Sequence, residues 1–129
     1  MSKKPRLLLI DDSEATVAGL RSFLDHKYEV STACNGLEGL KVFEENETRP
    51  DLVITDLVMP GISGLGVISL LKQQFPLIPI IAMTGWGQLP SELATEAKAD
   101  MVLMKPFDLE DLDLSVSKLL AGITSRTTI

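Results

Sequence analysis

The sequence has one cysteine (Cys34), one histidine (His26), one tryptophan and one tyrosine. A single cysteine excludes an internal disulfide and a multi-cysteine zinc site, and it suits a reducing compartment. A lone histidine near the end of a predicted helix reads as a solvated surface group. Basic charge is also short: 12 Lys and Arg against 18 Asp and Glu give a formal net charge of −6. That balance argues against direct binding to nucleic acid or to an anionic membrane. Long apolar runs are missing. After the basic start Met1–Arg6, only the four apolar residues Leu7–Ile10 precede Asp11-Asp12, too few for an export signal or a membrane span. A cytoplasmic protein is expected. There is no internal repeat or low-complexity tract, and no GxxxxGK or GxGxxG motif that would indicate a nucleotide site.

The 129 residues, 45% of them hydrophobic, suffice for one domain with one core. Five short apolar runs punctuate them: Leu7–Ile10, Tyr28–Ala33, Leu52–Ile54, Ile78–Met83 and Met101–Met104. Starting at 7, 28, 52, 78 and 101, they are 21, 24, 26 and 23 residues apart, as when a crossover helix follows each strand. Helical periodicity fills the gaps, through Val17, Leu20 and Leu24, then Leu37, Leu40 and Phe43, then Leu65, Ile68 and Phe75. A short, weakly apolar fourth helix is expected over Ser91–Lys98. The fifth carries Leu109, Leu112, Val116, Leu119 and Leu120 on one face. Ser13, Asn35, Ser63 and Asp108 suit N-caps, Pro90 suits a first helical turn, and acids over Asp108–Asp113 complement the dipole of the fifth helix. Gly122 is expected to end that helix, so residues 1–122 form the domain and 123–129 a polar tail or the start of a linker.

Four of the runs are continuously apolar, as in parallel strands covered by helices on both faces. The second partly alternates and is placed at a sheet edge. The expected fold is therefore a doubly wound α/β sandwich of flavodoxin type, with five parallel strands in the order 2-1-3-4-5. In that order the functional crevice lies at the carboxyl ends of strands one and three. Those ends carry Asp11, Asp12 and Asp56. Unit charges about 4 Å apart repel by ~4 kcal/mol at an effective dielectric near 20, so the cluster needs a cation or must take up protons. A hard, oxygen-liganded ion such as Mg²⁺ is the natural partner. Thr84 closes the fourth run and Lys105 the fifth, at the same sheet end. A carboxylate nucleophile, a metal, a hydroxyl and a lysine together suit phosphoryl transfer to an aspartate.

Taken singly, Asp11-Asp12 is usually just a turn and helix cap, Asp56 before Met59-Pro60-Gly61 is a turn residue about half the time, and Lys105-Pro106 says almost nothing. Joined in order at strand ends, the segments Leu7–Ser13, Asp56–Gly61, Met83–Gly85 and Lys105–Phe107 resemble the receiver domains of two-component response regulators along nearly the whole chain. The resemblance implies that Asp56 is the phosphoacceptor. It implies Mg²⁺ held by Asp12, Asp56 and the Val58 main-chain carbonyl, with Asp11 acting through water. Lys105 would pair with a phosphoryl oxygen before a cis Lys105-Pro106 bond, and Thr84 would hydrogen-bond the phosphoryl group. A histidine kinase or histidine phosphotransfer protein would be the donor. A downstream effector would bind the face of the fourth helix, fifth strand and fifth helix, and a phosphorylation-dependent homodimer is allowed. Such a chain is a signalling domain rather than an enzyme with turnover.

Three departures from the family pattern stand out. Val102 occupies the place of a frequent Tyr or Phe three residues before the lysine, so coupling of Thr84 to an aromatic is not expected. The Thr84–Lys105 spacing of 21 is one short, with the deletion placed near Ala97-Lys98-Ala99, where a glycine commonly sits. Gly85-Trp86-Gly87 replaces the usual alanine after the threonine and loosens that loop. Two alternative functions fit less well. A haloacid-dehalogenase-type phosphatase needs an acid at Val58, and a flavodoxin needs a hydroxyl-rich loop where Asp11-Asp12 would repel a flavin phosphate. Cys34 is expected to be a small buried residue, and the methionines to be core or loop fillers. Glu44, Glu45 and Glu47 are expected on a solvated face, and Trp86 in loop packing or a partner contact.

Overall fold

Five strands, β1 (Arg6–Ile10), β2 (Glu29–Ala33), β3 (Leu52–Asp56), β4 (Ile80–Thr84) and β5 (Met101–Met104), pair into one parallel sheet ordered β2-β1-β3-β4-β5. The expected topology is thus the observed one. The computed structural model describes residues 4–44, 49–57, 64–85 and 98–127, with only the backbone for 123–127. Helices α1 (Glu14–Leu24), α2 (Gly36–Val42) and α3 (Gly64–Gln74) lie among these, as does a C-terminal helix over Leu109–Thr127. The fourth predicted helix, apart from Lys98, falls outside the described residues, as do Val58–Ser63, Glu45, Glu47, Trp86, Gly87 and Pro90.

The sheet has two apolar faces because its strand residues alternate between them. Leu8, Ile10, Val53, Ile80 and Ala82 pack with Val67, Ile68 and Leu71 of α3 on one face. Leu7, Leu9, Leu52, Ile54, Ile81 and Met83 pack with Leu20 and Leu24 of α1 and with Leu112 and Val116 of the C-terminal helix on the other. β1, β3 and β4 are almost fully buried, whereas edge strand β2 shows the pattern exposed–buried–exposed in its first three residues. β5 is the other edge, and its apolar run is only half-covered, with Met104 exposed.

Local signals act where expected. Ser13 Oγ accepts from Thr16 N–H at 3.3 Å and Asn35 Oδ1 from Glu38 N–H at 2.8 Å, capping α1 and α2. The Asp108 main-chain carbonyl accepts from the Asp111 and Leu112 amides at the start of the C-terminal helix. His26 is exposed just past α1. Three expectations are corrected. The C-terminal helix does not stop at Gly122 but runs to Thr127, because an interior glycine costs only about 1 kcal/mol relative to alanine. Cys34 is exposed rather than buried, because it stands in the turn after an edge strand. Its thiol donates to Glu38 Oε2 at 3.1 Å, and that carboxylate pushes the thiol pKa up, away from the reactive thiolate. In α2, Leu37 is exposed, and Gly36 and Gly39 form part of the buried face instead.

A polar tie joins β2 to the C-terminal helix. The Tyr28 hydroxyl donates to Asp113 Oδ1 at 3.0 Å and lies 3.3 Å from Ser117 Oγ, and Lys27 Nζ lies 3.0 Å from Asp113 Oδ2. At the same sheet end, toward the β5 edge, Asp100 Oδ2 accepts from Lys72 Nζ at 2.7 Å and from Ile80 N–H at 2.8 Å, tying α3 to β4. Lys98, in the segment where the one-residue deletion was placed, has φ of 77°, in the left-handed region that costs a non-glycine residue about 1 kcal/mol. Lys98→Gly is therefore expected to stabilise the fold by up to about 1 kcal/mol in denaturant titrations. Tyr28→Phe should destabilise it by about 1 kcal/mol through the lost hydrogen bond. Burial raises the Tyr28 phenol's pKa, so the fold prefers the protonated form. The difference from Tyr28→Phe should be complete below about pH 10, the unfolded value, and should shrink as pH rises through the raised folded value.

Candidate functional site

The β1–β3 register brings the acidic residues together. Ile10 lies opposite Thr55, so the next residues in each strand, Asp11 and Asp56, meet at the sheet's carboxyl end. Asp11 N–H donates to the Ala33 carbonyl at 3.1 Å, continuing the sheet ladder by one residue. Asp11 Oδ1 accepts from Ser13 N–H at 2.9 Å, which fixes its rotamer at the entrance to α1. One carboxylate oxygen from each of Asp11, Asp12 and Asp56 lies within 4.8 Å of the other two. Asp11 and Asp56 are buried, and Asp12 is exposed at the mouth.

β4 and β5 bring the complementary groups. Thr84 is buried at the end of β4, and its carbonyl accepts from Lys105 N–H at 2.8 Å, so the two residues are joined through the backbone. Lys105 Nζ lies 3.3 Å from Asp11 Oδ2 and 3.8 Å from Asp56 Oδ1, and the Lys105-Pro106 bond is cis. Of the predicted site residues, Asp11, Asp12, Asp56, Thr84 and Lys105 therefore gather at one sheet end, while Val58 lies outside the described residues. Val102 stands opposite Ala82 in β4 and packs against the α3-side core.

The arrangement is electrostatically incomplete. Among the described residues, three carboxylates face one ammonium, leaving a net charge of −2, which a single divalent cation would cancel. Oxygen-only donors on two buried residues and one exposed residue fit a hard ion that keeps part of its water shell. The donors thus fit Mg²⁺.

Two features were missed in the sequence reading. Gly64, the first residue of α3, approaches the Asp56–Leu57 backbone so closely that a side chain there would overlap it. Thr55, fully buried, donates its hydroxyl to the Asp56 carbonyl at 3.0 Å. A glycine after a Pro-Gly turn, and a threonine interrupting an apolar strand just before the acid, were the available signals.

Residues 7–117 match the response regulator receiver domain family. The transcriptional regulatory protein PrrA of Mycobacterium leprae is 36% identical over 118 residues, covering 90% of this chain and 50% of PrrA. The alkaline phosphatase synthesis transcriptional regulatory protein PhoP of Bacillus subtilis is 34% identical over 122 residues, covering 93% of this chain and 49% of PhoP. The chain spans about half the length of these curated relatives. Among solved structures, a response regulator receiver domain protein from Clostridium thermocellum superposes with a TM-score of 0.87 at 32% identity, covering 93% of this chain and 97% of that one. The signal receiver domain of a signal transduction histidine kinase from Syntrophus aciditrophicus gives 0.84 at 29% identity, with 92% of each chain covered.

Removing one of three converging negative charges should stabilise the fold without metal. Asp56→Asn is expected to raise stability by about 1–3 kcal/mol in chelator, and the gain should shrink when Mg²⁺ is added, as measured by denaturant midpoints.

Proposed function

The chain belongs to the response regulator receiver domain family, and from that premise we propose that Asp56 is its phosphoacceptor and that Thr84 and Lys105 handle the phosphoryl oxygens. Asp11, Asp12, Asp56 and the Val58 main-chain carbonyl would hold Mg²⁺. The chain is a receiver domain of two-component signalling. The observation that carries the site assignment is the convergence of the three carboxylates within 4.8 Å, with Lys105 reaching two of them.

Asp56 is buried at the end of β3, and its carboxylate oxygen would attack phosphorus as the bond to the donor's imidazole or acyl oxygen breaks, the leaving group departing on the opposite side of the phosphorus. The donor is a phosphohistidine on a histidine kinase or histidine phosphotransfer protein, or a small acyl phosphate such as acetyl phosphate. When bound, Mg²⁺ supplies positive charge for the phosphoryl oxygens and lowers the repulsion that an incoming anion meets. Lys105 pairs with Asp11 and Asp56 in the unmodified state, and its ammonium can follow the charge onto the transferred group. The phosphoryl group adds about −1.5 to −2 charge at one point, and the Thr84 hydroxyl turns to donate to it.

That turn is the switch. Because the Thr84 carbonyl accepts from Lys105 N–H, a shift at the end of β4 passes directly to the end of β5. From there it reaches the surface shared by the fourth predicted helix, β5 and the C-terminal helix, where an effector or a second phosphorylated copy binds. Water later removes the phosphoryl group, so the domain acts as a timed signal in the cytoplasm rather than as a turnover enzyme. Neither alternative draws support: among the described residues the three clustered acids would repel a flavin phosphate, and a valine at position 58 has no group to serve as a phosphatase acid.

Incubation with Mg²⁺ and acetyl phosphate should add one phosphoryl group to the intact mass. Asp56→Asn should abolish the adduct, Lys105→Ala should reduce it strongly, and chelator should prevent it. An equal adduct on Asp56→Asn would refute the assignment. With Val102 rather than an aromatic in β5, amide chemical-shift changes on phosphorylation should be large at Thr84 and at Lys105, just past the end of β5, and modest along Met101–Met104. A large rearrangement of β5 would contradict that expectation.

A further inference from the structure

The position of Asp56 is set by its main chain, and one glycine governs that main chain. Gly64 is buried, and its N–H donates to the Leu57 carbonyl at 3.0 Å. Leu57 N–H in turn donates to the Met83 carbonyl at 3.0 Å. A methyl group built on Gly64 would overlap the Asp56 carbonyl oxygen and would lie 2.6 Å from Leu57 Cα and 2.8 Å from the Asp56 carbonyl carbon. All three are backbone atoms, so none can rotate aside as a side chain could. The same Asp56 oxygen accepts the Thr55 hydroxyl at 3.0 Å.

We propose that Gly64 is a positioning residue for phosphoryl transfer. Its lack of a side chain lets α3 seat directly on the Asp56–Leu57 peptide. That seat, together with the Thr55 hydroxyl, sets where the Asp56 carboxylate stands relative to Asp11, Asp12 and Lys105. The inference rests on Asp56 being the phosphoacceptor. Any side chain at position 64 must push the Asp56 peptide away or lift α3, and displacements near 1 Å in a site of this kind cost up to about 100-fold in rate.

Gly39 provides the contrast. It too is a buried helical glycine, but a methyl group there meets Ile10 side-chain atoms at 2.5 and 3.0 Å and the Ala33 Cβ at 3.8 Å. These contacts include the far end of a flexible side chain and no backbone of Asp56. Gly39→Ala therefore perturbs packing alone, and the pair of variants separates positioning from stability.

The test is the rate of phosphoryl uptake from acetyl phosphate with Mg²⁺, followed by intact mass, on wild type, Gly64→Ala, Gly39→Ala and Thr55→Val. Circular dichroism establishes that each is folded at the assay temperature. Gly64→Ala is expected to be about tenfold slower or more, Thr55→Val several-fold slower, and Gly39→Ala to keep the wild-type rate despite reduced stability. A folded Gly64→Ala at the wild-type rate, or a Gly39→Ala slowed equally, would overturn the proposal. If Gly64→Ala does not fold, Thr55→Val decides: slowed uptake supports the clamp on the Asp56 carbonyl, and an unchanged rate overturns it. A wild type that takes up no phosphoryl group would instead remove the assignment of Asp56 on which the inference stands.

Discussion

The pairing of β1 with β3 is the constraint on which everything else rests. It forces Asp11 and Asp56, two buried carboxylates, to end adjacent strands side by side. Alone, their repulsion would be ~3–4 kcal/mol at the observed separations and an effective dielectric near 20. The strands nevertheless bury Leu7, Leu8, Leu9 and Ile10 in β1 and Leu52, Val53 and Ile54 in β3 to 1% exposure or less. At ~1.5–3 kcal/mol each, these side chains outweigh the repulsion several-fold. The apolar core thus holds a charge arrangement that would otherwise open, and the repulsion that remains would be relieved by a divalent cation among the three carboxylates.

Around that junction, side-chain and backbone ties join elements remote in the chain. Lys105 is linked to the acids through its ammonium and to Thr84 through its backbone, so it senses both the charge in the crevice and the end of β4. On the far side, Tyr28, Lys27 and Asp113 anchor the C-terminal helix to the start of β2. Lys72 and Asp100 anchor α3 to the start of β4. These ties lie at the sheet end opposite the acids or on the helix flank.

Much of this was legible from residue patterns. The Leu7–Ile10 and Leu52–Ile54 runs are apolar throughout because both faces of central parallel strands are covered, and that periodicity alone announces them. Tyr28–Ala33 alternates because β2 is an edge strand. Ser13 and Asn35 cap helices by short-range bonding that needs no distant partner. The misreadings share one cause, a local signal overridden by context. Gly122 looks like a helix stop, yet the helix continues because one glycine is a small penalty. Cys34 looks like core by residue type, but its turn faces solvent. Leu37 has the right spacing for burial, yet two glycines let the helix approach the sheet on a different face.

The sequence by itself determined which residues lie at strand ends, because strand length and period are local properties of apolar runs. That was enough to nominate Asp11, Asp12, Asp56, Thr84 and Lys105. Only the tertiary structure decided that Lys105 sits closer to Asp11 than to Asp56, that the Thr84 carbonyl accepts from the lysine's own amide, and that Gly64 presses on the Asp56 carbonyl. Each of these is a distance between elements remote in the chain. Such distances follow from sheet register and from how near a helix can approach, and no run of neighbouring residues encodes them.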